Sequence, residues 1–137
     1  MGTVSKGTFD VKLTPVPMTE GVGVATLARQ TVAKHWSGDL EGTSAGEMLA
    51  AMSPVKGSAG YVAVERVTGT LHGKRGSFVL QHTGVMTRGA PSLVVTVVPD
   101  TGTDELAGMT GTLKIIIEGG KHFYELEYSL SGAAPGS

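Results

Sequence analysis

Apolar and polar residues alternate in short runs along this chain, and turn-forming residues break the runs at nearly even intervals. From Thr8 to Thr14 the residues Phe9, Val11 and Leu13 alternate with Asp10 and Lys12, the period-two pattern of a half-buried strand. Pro15 to Gly23 holds two prolines and two glycines and reads as a loop. Val24 to Trp36 reads as a long strand, because β-branched Val24, Thr26, Thr31 and Val32 recur along it, and Gly38 ends it. Asp39 to Met52 admits two readings. Ser44 followed by Glu47 has capping-box spacing, and Met48 to Met52 is built of helix formers. Against this, Leu40, Gly42, Ser44, Gly46 and Met48 alternate with Asp39, Glu41, Thr43 and Glu47, as on a strand with one small-residue face, and we take the strand. Tyr61 to Thr68, Ser77 to Val85, Leu93 to Val98, Thr112 to Glu118 and Lys121 to Leu130 complete the set. The last two flank Gly119-Gly120, a two-residue hairpin composition.

About eight strands punctuated by 21 glycines predict an all-β domain, a small closed antiparallel β-barrel whose interior holds side chains or one small ligand. The 137 residues make one domain over 1–130, with a frayed tail over 131–137. Leu93 to Val98, and Leu113 with Ile115 to Ile117, are apolar on both faces, so a second cover is expected and a homo-oligomer follows.

Charge narrows the partners. Eleven basic residues nearly balance twelve acidic ones, and no basic run exceeds Lys74-Arg75, so nucleic acid is not expected. No apolar stretch reaches the roughly 20 residues of a membrane helix, and Met1 to Gly7 lacks an apolar signal region; the expected compartment is the cytoplasm, away from membranes. Cysteine is absent, which removes disulfides, thiol catalysis and thiolate metal sites.

Several short motifs touch on chemistry. Gly42-Thr43-Ser44-Ala45-Gly46 fits the G-x-S-x-G string of a nucleophile elbow, but that elbow needs a strand-to-helix turn in a much longer α/β chain, and Ser44 reads as strand packing. Asp100-Thr101-Gly102 fits an aspartic-protease loop and equally an ordinary turn after Pro99. A hydrolase or peptidase on Ser44 or Asp100 is therefore the minor reading. His35, His72, His82 and His122 show no ligand spacing, so no metal site is expected; Gly119-Gly120-Lys121 and Gly21-Val22-Gly23 lack nucleotide-loop context, so no cofactor is expected.

Strand register yields a more specific constellation. If Tyr61 to Thr70 pairs with Ser77 to Met86 across a turn of His72 to Arg75, with Leu71 opposite Gly76, then Glu65 faces His82. Tyr61 then pairs with Met86, Ala63 with Gly84, Val67 with Leu80 and Gly69 with Phe78 on the same face, while the opposite face, with Arg66 by Gln81 and Val64 by Thr83, is more polar. The first face is the candidate lumen. Glu65 and His82 there form a candidate acid and base, Glu65 with its carboxyl pKa raised by burial, and Tyr61, Val67, Phe78, Leu80 and Met86 are candidate ligand-binding residues. The competing reading is a structural pair whose members satisfy each other.

The segments Gly38 to Leu49, Val55 to Gly69, Gly76 to His82, Val97 to Asp100 and Gly120 to Tyr124 resemble an uncharacterised bacterial domain-of-unknown-function family. That family resembles the allene oxide cyclase-like barrels, which include fatty-acid-derived oxide cyclases and spirotetronate-forming cyclases. The resemblance implies a barrel with an apolar pocket and an oligomer, and it carries no catalytic residue across. The expected function is binding of a small apolar molecule inside the barrel, with isomerisation or cyclisation by Glu65 and His82; the alternative is a non-catalytic oligomeric module with a filled lumen.

Overall fold

The computed structural model describes residues 2–21 and 26–130, and within them eight strands close into one antiparallel barrel in which each strand pairs with its sequence neighbours and the last returns to the first. The strands are β1 (Thr3–Val16), β2 (Leu27–Gly38), β3 (Leu40–Met52), β4 (Ala59–Leu71), β5 (Lys74–Thr87), β6 (Ala90–Val97), β7 (Met109–Glu118) and β8 (Lys121–Leu130). The expected start of the second strand at Val24, two residues of Gly21-Val22-Gly23 and the tail from Ser131 lie outside the described residues. β1 runs on to Val16, past the expected loop start at Pro15, because Pro15 at its end still pairs with Gln30 of β2. Of Asp39 to Met52, Leu40–Met52 resolves as strand and Asp39 stands in the turn before it: Leu40, Ser44 and the other inward positions alternate with exposed Glu41, Thr43 and Glu47.

The β4–β5 register corrects the expectation above. Leu71 pairs with Lys74, not Gly76, because the turn is the two-residue step His72-Gly73. Both residues have positive φ, 47° and 80°, the geometry a tight hairpin requires, and His is not a residue that signals it. The slip is two residues, so faces are kept while direct partners change. Glu65 stands opposite Leu80, His82 opposite Ala63, Tyr61 opposite Gly84, Val67 opposite Phe78 and Gly69 opposite Gly76; outside, Arg66 meets Val79 and Val64 meets Gln81.

The interior is filled unevenly. At the end holding the β2–β3 and β4–β5 turns, Trp36, Leu40, Leu71, Phe78, Leu80, Tyr124 and Leu126 are fully buried. Trp36 lies 4.8 Å from the Phe9 ring and edge-on to Tyr124 at 5.2 Å. A 3-10 turn, Asp104–Leu106, plugs this end by burying Leu106. It is held by the Ser77 carbonyl accepting from Thr103 N–H and by Glu105 accepting from Arg75 N–H. Gly76 lies beneath it, where a Cβ would collide with the Thr103 carbonyl.

The opposite end is open. Leu13 is paired with Val32, Met52 with Ala59, Met86 with Pro91, Leu93 with Gly84 and Ile117 with His122. Cross-strand partners share a face, so register and alternation turn these five inward. Yet they are 42–65% exposed, which requires that nothing described fills the barrel mouth above them. The β6–β7 seam contributes: the two strands pair only at Thr96 and Thr112.

Candidate functional site

At the boundary between the packed and open halves lies a buried polar cluster from four consecutive strands. Lys34 is on β2, Ser44 on β3, Glu65 on β4 and His82 on β5, and all four are less than 9% exposed. They meet because Lys34 pairs with Ser44, Ser44 with Val67 two residues from Glu65, and Glu65 with Leu80 two residues from His82. Gly46 permits the approach. It pairs with Glu65, and a Cβ on it would collide with the Val64 carbonyl and the Glu65 backbone.

Lys34, Ser44 and His82 all direct a hydrogen bond to the Glu65 carboxylate. Ser44 Oγ donates to Glu65 Oε1 at 2.5 Å and accepts from Trp36 Nε1 at 3.2 Å. Lys34 Nζ donates to Oε2 at 2.7 Å, and His82 Nε2 is 2.5 Å from the same oxygen. The Lys34 ammonium also sits 4.7 Å from the centre of the Phe9 ring and 5.2 Å from that of Trp36, a cation–π cradle that offsets part of its desolvation. Burial pushes the Glu65 carboxyl up, but the His82 hydrogen bond, the Lys34 charge and the Lys34 and Ser44 hydrogen bonds outweigh it and bring the group down to about 2. This corrects the expectation of a raised carboxyl pKa. The cause is Lys34, which shares its strand parity with Val32 and Trp36 and so points inward. A lysine between two inward apolar positions was the sequence signal for a buried acidic partner.

A carboxylate ionised at neutral pH and held by three donors is a poor proton acceptor, whereas its geometry suits orienting an imidazole. Facing an ionised carboxylate, Nε2 carries the hydrogen, and in the neutral ring Nδ1 holds the lone pair. Ser44 is bonded to the carboxylate and not to the histidine, and it lies within a strand. It therefore has neither the base nor the elbow that a nucleophile needs. Asp100 is exposed in the turn after β6, where the Thr101 hydroxyl donates to the Val98 carbonyl and accepts from Val79 N–H, an ordinary turn network.

The other candidate residues divide between the two halves. Val67, Phe78 and Leu80 are at most 1% exposed and belong to the packed floor beneath the cluster. Met86 stands at the open mouth. Tyr61 is half-buried, one pair nearer the mouth than Ala63 and His82, with its ring centre 6.5 Å from the His82 ring. A cleft of about 490 Å³ is lined by Met18 and Thr19 together with the outward Leu49, Val62, Val64 and Thr83, beside the exposed Arg29–Glu47 ion pair, and it also borders Ala63 and His82. At the plugged end His72 joins Tyr128 Oη through Nδ1 at 2.5 Å and approaches Asp39 at 3.5 Å, while Asp39 accepts from Lys6 N–H; this arrangement pins two turns to β1 and β8. Among the described residues no group of three or more potential ligands is arranged to hold a metal, and no helix is long and apolar enough to cross a membrane.

The family model described as protein of unknown function (DUF3224) matches residues 5–128. A crystal structure of a protein of unknown function from the same family, from Shewanella oneidensis MR-1, is 50% identical, covers 97% of this chain and all of its own, and superposes with a TM-score of 0.90. A search of curated proteins returns no match.

Proposed function

The chain belongs to the DUF3224 family, whose description assigns no activity, and we propose from the site itself that the open half of the barrel binds a small apolar molecule and moves a proton on it. His82 is the acid–base residue and Glu65 fixes its tautomer. The observation that carries this reading is the set of inward but exposed Leu13, Met52, Met86, Leu93 and Ile117, which leads down to the buried cluster. An apolar concavity ending in a few convergent polar groups is the usual form of a small-molecule site. The reading agrees with the apolar-pocket barrels that the sequence resembles, and it needs no cofactor.

The test is binding of N-phenyl-1-naphthylamine, a neutral apolar fluorophore that brightens out of water. Wild type should bind it in the micromolar range, and Leu93→Asp and Met86→Glu, at exposed positions where a new charge is tolerated, should weaken binding at least about tenfold. Absence of binding by wild type, or equal binding by all three proteins, overturns the proposal.

A second reading concerns assembly. Leu49, Val62, Val64, Val85 and Val94 are 48–56% exposed on the outer wall of β3 to β6, where they form cross-strand neighbours. That strip supports a second copy of the chain as the partner covering it.

A further inference from the structure

Tyr61 and His82, with ring centres 6.5 Å apart, each carry one polar atom that no described residue uses. Tyr61 Oη has no hydrogen-bond partner among the described residues, and neither does His82 Nδ1, since the His82 bond runs through Nε2. Neither atom is fully enclosed. The Tyr61 ring is tilted 40° to the imidazole and lies across Gly84, its direct partner on β5, where a Cβ would overlap the ring. Gly84 therefore lets the phenol lie along the wall beside His82 and leaves the mouth clear.

The charges set the ligand class. Lys34 and Glu65 neutralise each other in a 2.7 Å ion pair, so the floor offers no unpaired charge for an ionic ligand. The wall around it is Met48, Ala63, Met86 and Leu93. What remains is one lone pair on Nδ1 and one neutral O–H donor.

We propose that the Tyr61 hydroxyl binds the carbonyl oxygen of a neutral, apolar ketone or enone while His82 Nδ1 removes a proton from the adjacent carbon. This rests on the reading of the open half as a ligand site. As the C–H bond breaks, its electron pair forms the new C=C bond and the carbonyl π pair moves to oxygen, where the Tyr61 O–H stabilises it. The proton on Nδ1 then returns to the same carbon, or to the far carbon of an enone so that the double bond shifts. No atom or electron is gained or lost. Burial raises the Tyr61 pKa, and the Glu65 charge adds to it, which keeps the phenol protonated as a donor.

The experiment follows α-proton exchange of 2-decanone in D2O by proton NMR, with fluorophore binding and melting temperature measured on each protein. Wild type should accelerate exchange, His82→Gln should abolish the acceleration, and Tyr61→Phe should cut it by ~10²-fold, as for loss of one oxyanion donor. Tyr61→Phe keeps the ring over Gly84, so its melting temperature and fluorophore binding should match wild type. Binding of the fluorophore without exchange of the ketone, or equal exchange by Tyr61→Phe, overturns this proposal while the pocket stands. Failure of wild type to bind the fluorophore overturns both. Decanoate should compete with the fluorophore more weakly than 2-decanone does; the reverse order overturns the assignment of a neutral ligand.

Discussion

Replacing one charge in the Lys34–Glu65–His82 cluster tests whether it is an electrostatic unit or a set of separable contacts. Glu65→Gln removes the negative charge but leaves the Lys34 ammonium 6% exposed between two rings. Lys34→Met leaves Glu65 with only His82 and Ser44. Breaking a buried pair from one side costs about 3–5 kcal/mol, because the remaining charge stays desolvated. Domains of this kind are stable by only about 5–15 kcal/mol, so either single variant should lose a large share of its stability. The double variant, with neither charge, should be more stable than the two single losses summed by ~2 kcal/mol or more.

The same cluster sets the acid limb. In the unfolded chain Glu65 takes up a proton near the ordinary 4.5, whereas in the fold it does so only near 2. Its contribution is complete above pH 4.5, shrinks as pH falls toward about 2, and is absent below that. The gap corresponds to roughly 3 kcal/mol. Urea unfolding of wild type and the double variant, scanned over this range, isolates the effect, since other carboxylates contribute to both. Wild type should lose about 3 kcal/mol more than the double variant on acidification. Parallel acid profiles, or a double variant as damaged as the sum of the singles, would refute the electrostatic reasoning.

Gly46→Ala should destabilise the barrel by about 2 kcal/mol or more in urea unfolding, because its Cβ meets the Val64 carbonyl across a tight strand pair; a change within error would mean that β3 and β4 can separate there without loss. For assembly, multi-angle light scattering should return more than the 14.0 kDa of one chain at micromolar concentration, and Val62→Lys with Val64→Lys should return one chain. A monomeric wild type would exclude the outer strip as a homo-oligomer surface.

The strands were legible because period-two alternation and glycine spacing reflect the two faces of a closed wall directly. Even the ambiguous Asp39 to Met52 followed its small-residue alternation over its helix-forming composition, since Gly42 and Gly46 have to stand against neighbouring backbone. The hairpin register was not legible. His72 adopts a positive φ that its side chain does not advertise, and the true turn is two residues shorter than the expected one. An even slip keeps every residue on its face, so Glu65 and His82 still met, diagonally, with a hydrogen bond spanning the offset.

Lys34 changes the meaning of that meeting. A Glu–His pair alone in an apolar wall leaves open which member takes the proton, and burial alone would favour the carboxylate. An inward lysine 2.7 Å away fixes the carboxylate as the charged member of the pair. The cluster lies where the barrel passes from packed to open. Below, the aromatic rings of Phe9 and Trp36 close over the ammonium and exclude water from the ion pair. Above, Ala63 and Gly84 are small, and the Tyr61 ring lies across Gly84 beside the imidazole, so the edge of the ring opposite Glu65 is where the proposed ligand would have to meet the cluster.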